Sequence, residues 1–161
     1  MAAGREQWNT SNFLADILVK DVPIPYPELE AIIRKSGVQR GMDRSTVLKY
    51  LKLHEEDLLG WVYRHIAQRC ADIGIQPVWI YLPPLSQTKG EAEERGRARS
   101  LAEDAGFEIV DLTGIYDRED VEALSLADWD KHPNAKAHQL IANRLYTAIQ
   151  TNPGTFKLPP L

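Results

Sequence analysis

"GIQPVWIYLPPL", residues 74–85, is the stretch whose reading decides the fold. Between Pro77 and Pro83 it is a continuous apolar run rich in β-branched and aromatic residues. Such a run predicts a strand buried on both faces, as in a parallel sheet, rather than one with a wet side. Upstream, Val47, Leu51, Leu58, Val62, Ile66 and Ile73 recur near the helical period through "MDRSTVLKYLKLHEEDLLGWVYRHIAQRCADIG" (42–74). This predicts one long helix, or two broken near Gly60, ending at Gly74. Downstream, "GEAEERGRARSLAEDAG" (90–106) reads as a charged helix with Leu101 and Ala102 inward and Gly106 at its end. "FEIVDLT" (107–113) reads as a second short strand and "NAKAHQLIANRLYTAI" (134–149) as a closing helix. In that helix Asn134 is the N-cap, and Ala137, Ile141, Leu145 and Ala148 share one face. The order helix, strand, helix, strand, helix predicts crossovers around a mainly parallel sheet.

Before the long helical pattern, "SNFLADILVK" (11–20) is a short helix candidate. Pro23, Pro25 and Pro27 then impose an extended or turning path. Pro27 is placed to open a helix through Lys35, with Gly37 as its stop. The expected organisation is therefore an N-terminal extended and helical segment over 1–43, an α/β region over 44–150, and a Pro-rich tail over 151–161.

Composition narrows the function. The chain has 161 residues, 43% of them apolar, enough for a single core. Its net charge of −4, with both signs interspersed, provides no basic face for nucleic acid or anionic lipid. No apolar run approaches the ~20 residues that span a bilayer, and "MAAGREQWNTSNF" lacks the order of a secretory signal. The expectation is a soluble chain, cytoplasmic by default. Cys70 is the single cysteine and reads as a helix thiol.

The chemistry concentrates in "DWDKHPNAKAH" (128–138). Asp130 and His132 are two apart, so the carboxylate can reach Nδ1 and leave Nε2 facing outward, as a general base requires. Two strands precede this segment, which would put the histidine beyond their carboxyl ends, where open α/β sheets bind ligands. On the bland reading, His132 is an ordinary surface loop residue.

"DWDKHPNAKAH" with the following "LIANRL" resembles the last sequence block of the SGNH hydrolases, also called GDSL-like esterases and lipases. "GIQPVWIYLPP" and "EDAGFEIVDLTGIY" are similar to that family's later strands, in the same order, so the resemblance covers about residues 55–150. It implies a three-layer α/β/α domain and a Ser-His-Asp triad in which His132 is the base and Asp130 the orienting acid. It also implies a small-molecule, carbohydrate or lipid ester as substrate, with no cofactor and no metal. Asp128, four residues before the histidine, is the poorer acid, and His138 matches a second histidine read as packing or capping support. The family's first strand and its Gly-Asp-Ser block have no counterpart: Ser11, Ser36, Ser45, Ser86, Ser100 and Ser125 all lack that context. The expectation is the C-terminal part of a hydrolase that lacks the first strand, with an open sheet edge suited to self-association or to the missing half. The rival is a non-catalytic interaction or structural domain that retains the architecture.

Other signals carry less. "HEEDL" (54–58) begins like a zinc-protease motif but has Leu58 where the second histidine belongs, and His54 and His65 would lie about 16 Å apart along a helix. Trp61, Tyr63, Trp79 and Tyr81 read as core rather than as a cleft. Asp111, where the second strand leaves the sheet, reads as a turn or helix-cap residue rather than a catalytic one.

Overall fold

The computed structural model describes residues 10–86 and 90–151. The expected Pro-rich tail lies, beyond Thr151, outside them. The chain divides into two compact units, Met1–His65 and Ile66–Leu161, and the division falls inside a helix. The sequence boundary at 43/44 falls within the first unit.

The first unit is helical. Helices α1 (Thr10–Val19), α2 (Pro27–Ser36), α3 (Arg44–Lys52) and the beginning of α4 (Glu55–Asp72) surround one core of Leu14, Ala15, Leu29, Ile33, Val47, Leu51 and Leu58. Helix α2 opens at Pro27 and closes on Gly37, whose φ of 82° is the left-handed conformation that a Cβ disfavours. Asp43 caps α3: its Oδ1 accepts from the backbone N–H groups of Ser45 and Thr46. These bonds, with those from the Ser45 and Thr46 hydroxyls, hold the Asp43 carboxyl far below the usual carboxylate range. The helical break falls at Leu53 and His54, not near Gly60, which is buried inside α4. Charge explains the position: Lys49 and Lys52 end α3 while Glu55, Glu56 and Asp57 begin α4, each set suited to the helix dipole at its own terminus. Trp61 packs against this core and stacks on His65 at 5.1 Å.

The second unit holds two short sheets. Strands β1 (Val78–Tyr81) and β2 (Glu108–Asp111) pair in parallel, joined through α5 (Glu91–Asp104). Strands β3 (Ser125–Ala127) and β4 (Asp130–Pro133) pair antiparallel and lead into α6 (Ala135–Thr151). The chain is thus α/β in the loose sense, 58% helical with two two-stranded sheets.

The run at 78–81 is a strand, but not one buried on both faces. Tyr81 is half-buried and bonded to α5, while Ile80, on the opposite face, is 45% exposed. Two strands and one crossover helix cover only one side, so the apolar run is more continuous than the burial it meets. Pro77 and Tyr81 use their carbonyls toward β2, at 3.0 and 3.1 Å. The backbone groups of Val78 and Ile80 therefore face the other edge, which has no partner strand among the described residues. The helical face predicted over 47–73 also fades: Leu58 is buried, but Ile66 and Ile73 are 42% and 70% exposed.

Candidate functional site

A second core of Leu85, Tyr116, Leu124 and Ala137 positions the site. Leu85 follows β1 by four residues and Tyr116 follows β2 by five. The hairpin and the first turn of α6 are thereby held against the segments that leave the carboxyl ends of the parallel strands. Lys136 reinforces the attachment through an ion pair with Glu119 at 2.6 Å.

Asn134 joins hairpin to helix. Its Nδ2 donates to the carbonyls of Ala123 (2.9 Å) and Ser125 (3.1 Å), and its backbone N–H donates to Leu124 at 2.8 Å. Its Oδ1 accepts from the N–H groups of Lys136 and Ala137, which is the N-cap of α6. Pro133 ends β4 immediately before it. One side chain thus fixes where the strand carrying His132 stands relative to the helix that follows.

Asp130 and His132 lie on β4, two apart and so on one face. Asp130 Oδ1 is 2.5 Å from His132 Nδ1 and also accepts the His132 backbone N–H at 3.0 Å. With Nδ1 donating, the neutral ring presents Nε2 as an acceptor. The imidazole is 61% exposed and the carboxylate 27%. Asp128 sits in the two-residue turn of the hairpin and makes no contact with the ring, and Trp129 beside it is 87% exposed. His138 is exposed on α6, and its imidazole makes no hydrogen bond among the described residues; the cap of α6 is Asn134.

As the sequence reading expects, none of the six serines is bonded to His132. Ser11 is buried in the first unit, the hydroxyls of Ser36 and Ser125 donate to the Ile33 and Val121 carbonyls, and Ser45 donates to Asp43. Ser86 and Ser100 are exposed. Among the described residues no hydroxyl lies within hydrogen-bonding distance of Nε2.

One acid-imidazole contact escaped the sequence reading. His54 Nδ1 lies 3.1 Å from Asp57 Oδ2, a second acid-imidazole contact, but Lys35 shares that carboxylate at 2.7 Å. The hydrogen bonds from Lys35 and His54 hold Asp57 below the usual range. Its signal was a His-x-x-Asp step at a helix start. At the strand ends, Asp111 accepts from the Thr113 N–H at 2.9 Å and faces Arg95 and Arg99 at 4.0 and 3.6 Å. Burial raises the Asp111 carboxyl, but Thr113 and the two guanidinium groups outweigh it and hold it below the usual range. Asp111 is a strand-terminating anchor. No three His, Cys, Asp or Glu side chains converge among the described residues.

Comparison of the chain with family models, with curated proteins and with solved structures gives no match in any of the three.

Proposed function

We propose that the Asp130–His132 pair is the acid and base of a serine-type ester hydrolase of the SGNH kind, acting on acyl or acetyl esters of small molecules, sugars or lipids. The observation that carries this reading is the single carboxylate oxygen that bonds both the ring Nδ1 and the backbone N–H of His132, leaving Nε2 open to solvent. A serine hydroxyl presented to Nε2 would attack the acyl carbon as the imidazole takes its proton. The imidazolium, steadied by Asp130, would then return that proton to the departing alcohol oxygen. The nucleophile comes from outside the residues that touch His132 here, on a further segment or a partner chain. The same element would extend the β1–β2 pair into the larger parallel sheet of a three-layer domain, through the uncovered edge of β1.

A second reading, a binding module that retains the architecture, is favoured by the lack of any hydroxyl on Nε2 among the described residues and by the exposure of Leu126 and Trp129 on the same hairpin. Fluorophosphonate labelling with peptide mapping separates the possibilities. The 161-residue chain should take up no stoichiometric label. A longer or complemented form should be labelled on one serine, and His132→Ala in it should lower kcat by several orders of magnitude. A His132-dependent adduct on Ser86 or Ser125 of the chain alone would overturn the external nucleophile. A longer form that neither labels nor hydrolyses esters would leave the binding module.

A further inference from the structure

The first unit contains a cavity of about 390 Å³ that the Asp130–His132 chemistry does not use. Its size lies toward the small end of ligand pockets, which run from roughly 300 to 1,000 Å³. The floor is apolar: Ile33 and Val47 are buried, and Leu18 and Met42 are partly so. The rim carries four charges. Asp21 and Arg40 satisfy each other at 3.2 Å across the mouth. Glu30 and Arg34 do not: neither side chain makes a hydrogen bond or ion pair among the described residues.

Glu30, Ile33 and Arg34 share one face of α2 at helical spacing, with the two charged Cβ atoms about 5–6 Å apart. A carboxylate at one turn and a guanidinium at the next, both above an apolar floor, discriminate among ligands. A simple anion would satisfy Arg34 but meet Glu30, and a simple cation would do the reverse. A neutral apolar molecule would fill the floor and use neither charge. The ligand that satisfies all three surfaces has an ammonium and a carboxylate on one carbon and an apolar group beside them.

We infer that the cavity beneath Glu30 and Arg34 is a binding site for a free apolar α-amino acid, with Glu30 receiving the ammonium, Arg34 the carboxylate, and the floor around Ile33 and Val47 the side chain. This function is separate from ester hydrolysis and does not depend on it.

The test is a ¹H–¹⁵N titration of the full chain with L-leucine. Saturable shifts are expected at the amides of Ile33, Val38 and Val47. N-acetyl-leucine and leucinamide, each lacking one charge, should bind at least about tenfold more weakly, a difference of ~1.4 kcal/mol. Glu30→Gln should erase the advantage of leucine over N-acetyl-leucine, and Arg34→Gln its advantage over leucinamide. Both side chains are exposed, so unchanged spectra of the free variants establish that they fold. No saturable shift at tens of millimolar leucine would overturn the inference. So would N-acetyl-leucinamide binding as tightly as leucine, because the two charges would then recognise nothing.

Discussion

Tyr81 and Asp111 stand opposite each other as the last paired residues of the two parallel strands, and both are tied to α5. The Tyr81 hydroxyl donates to Glu91, and the Arg95 guanidinium lies 5.4 Å from the centre of the Tyr81 ring. Arg95 and Arg99 meet Asp111. The strand ends are thus fastened to the helix by groups that titrate at opposite ends of the pH scale.

Stability of the second unit should therefore fall at both extremes. Burial and the Glu91 bond push Tyr81 up to about 12, so the folded state keeps a proton the unfolded chain gives up near 10. That contribution is complete below pH 10 and is lost as pH rises toward 12. Asp111 is held low, so its contribution is complete above the unfolded value near 4 and is lost as pH falls below it. Denaturant midpoints across pH should show both declines. Tyr81→Phe should flatten the alkaline limb, and an unchanged limb would refute the assignment.

The Tyr116 hydroxyl is buried without a hydrogen-bond partner among the described residues, and burial alone raises its ionisation. Leaving such a group unpaired costs about 1–3 kcal/mol, so Tyr116→Phe should be neutral or stabilising, by up to about 1 kcal/mol. A loss of more than that in urea unfolding would mean that the hydroxyl is bonded in solution.

Val110 on β2 is 6% exposed, whereas Ile80 on β1 is 45% exposed. Val110→Asp should unfold the second unit by placing a charge in its core, at a cost of several kcal/mol. Ile80→Asp should leave it folded. Circular dichroism decides between the two sites. An Ile80→Asp variant as unfolded as Val110→Asp would reveal a covering surface over β1 in the solution protein.

Asn134→Ala removes the α6 cap together with the bonds to the Ala123 and Ser125 carbonyls, so a loss of about 2 kcal/mol is expected. The His132 ring should become more mobile without losing Asp130. ¹⁵N relaxation and imidazole shifts would report both effects.

Asp130→Asn should weaken the preference for the Nδ1–H tautomer, because the carboxylate that orders it is gone. Imidazole ¹⁵N shifts near neutral pH provide the reading. Identical tautomer populations in the two proteins would show that the backbone, not Asp130, sets the ring.

Much of this architecture was legible because its signals are local. Pro27 and Gly37 mark the ends of α2, and Asn134 caps α6 through its own neighbours. The runs at 78–81 and 108–111 carry β-branched residues between helical patterns, and both are strands. The hairpin at 125–133 was hidden. Its two-residue turn, Asp128 and Trp129, has no glycine and no positive φ, so the usual primed-turn signal is missing. The exposure of Ile80 was not legible either, since an apolar run states what a strand can bury and not what arrives to cover it. Nor could spacing place Glu30 and Arg34 above a cavity whose floor comes from three helices.

One oxygen of Asp130 holds both the amide and the ring of His132, and all three groups belong to a single tripeptide. The pleat of one strand is enough to assemble them. Substitutions far from the strand can move the pair as a body, but the alignment of ring, amide and carboxylate follows from the strand that carries all three. The contact is therefore a property of the strand's own pleat, and it persists wherever that strand forms.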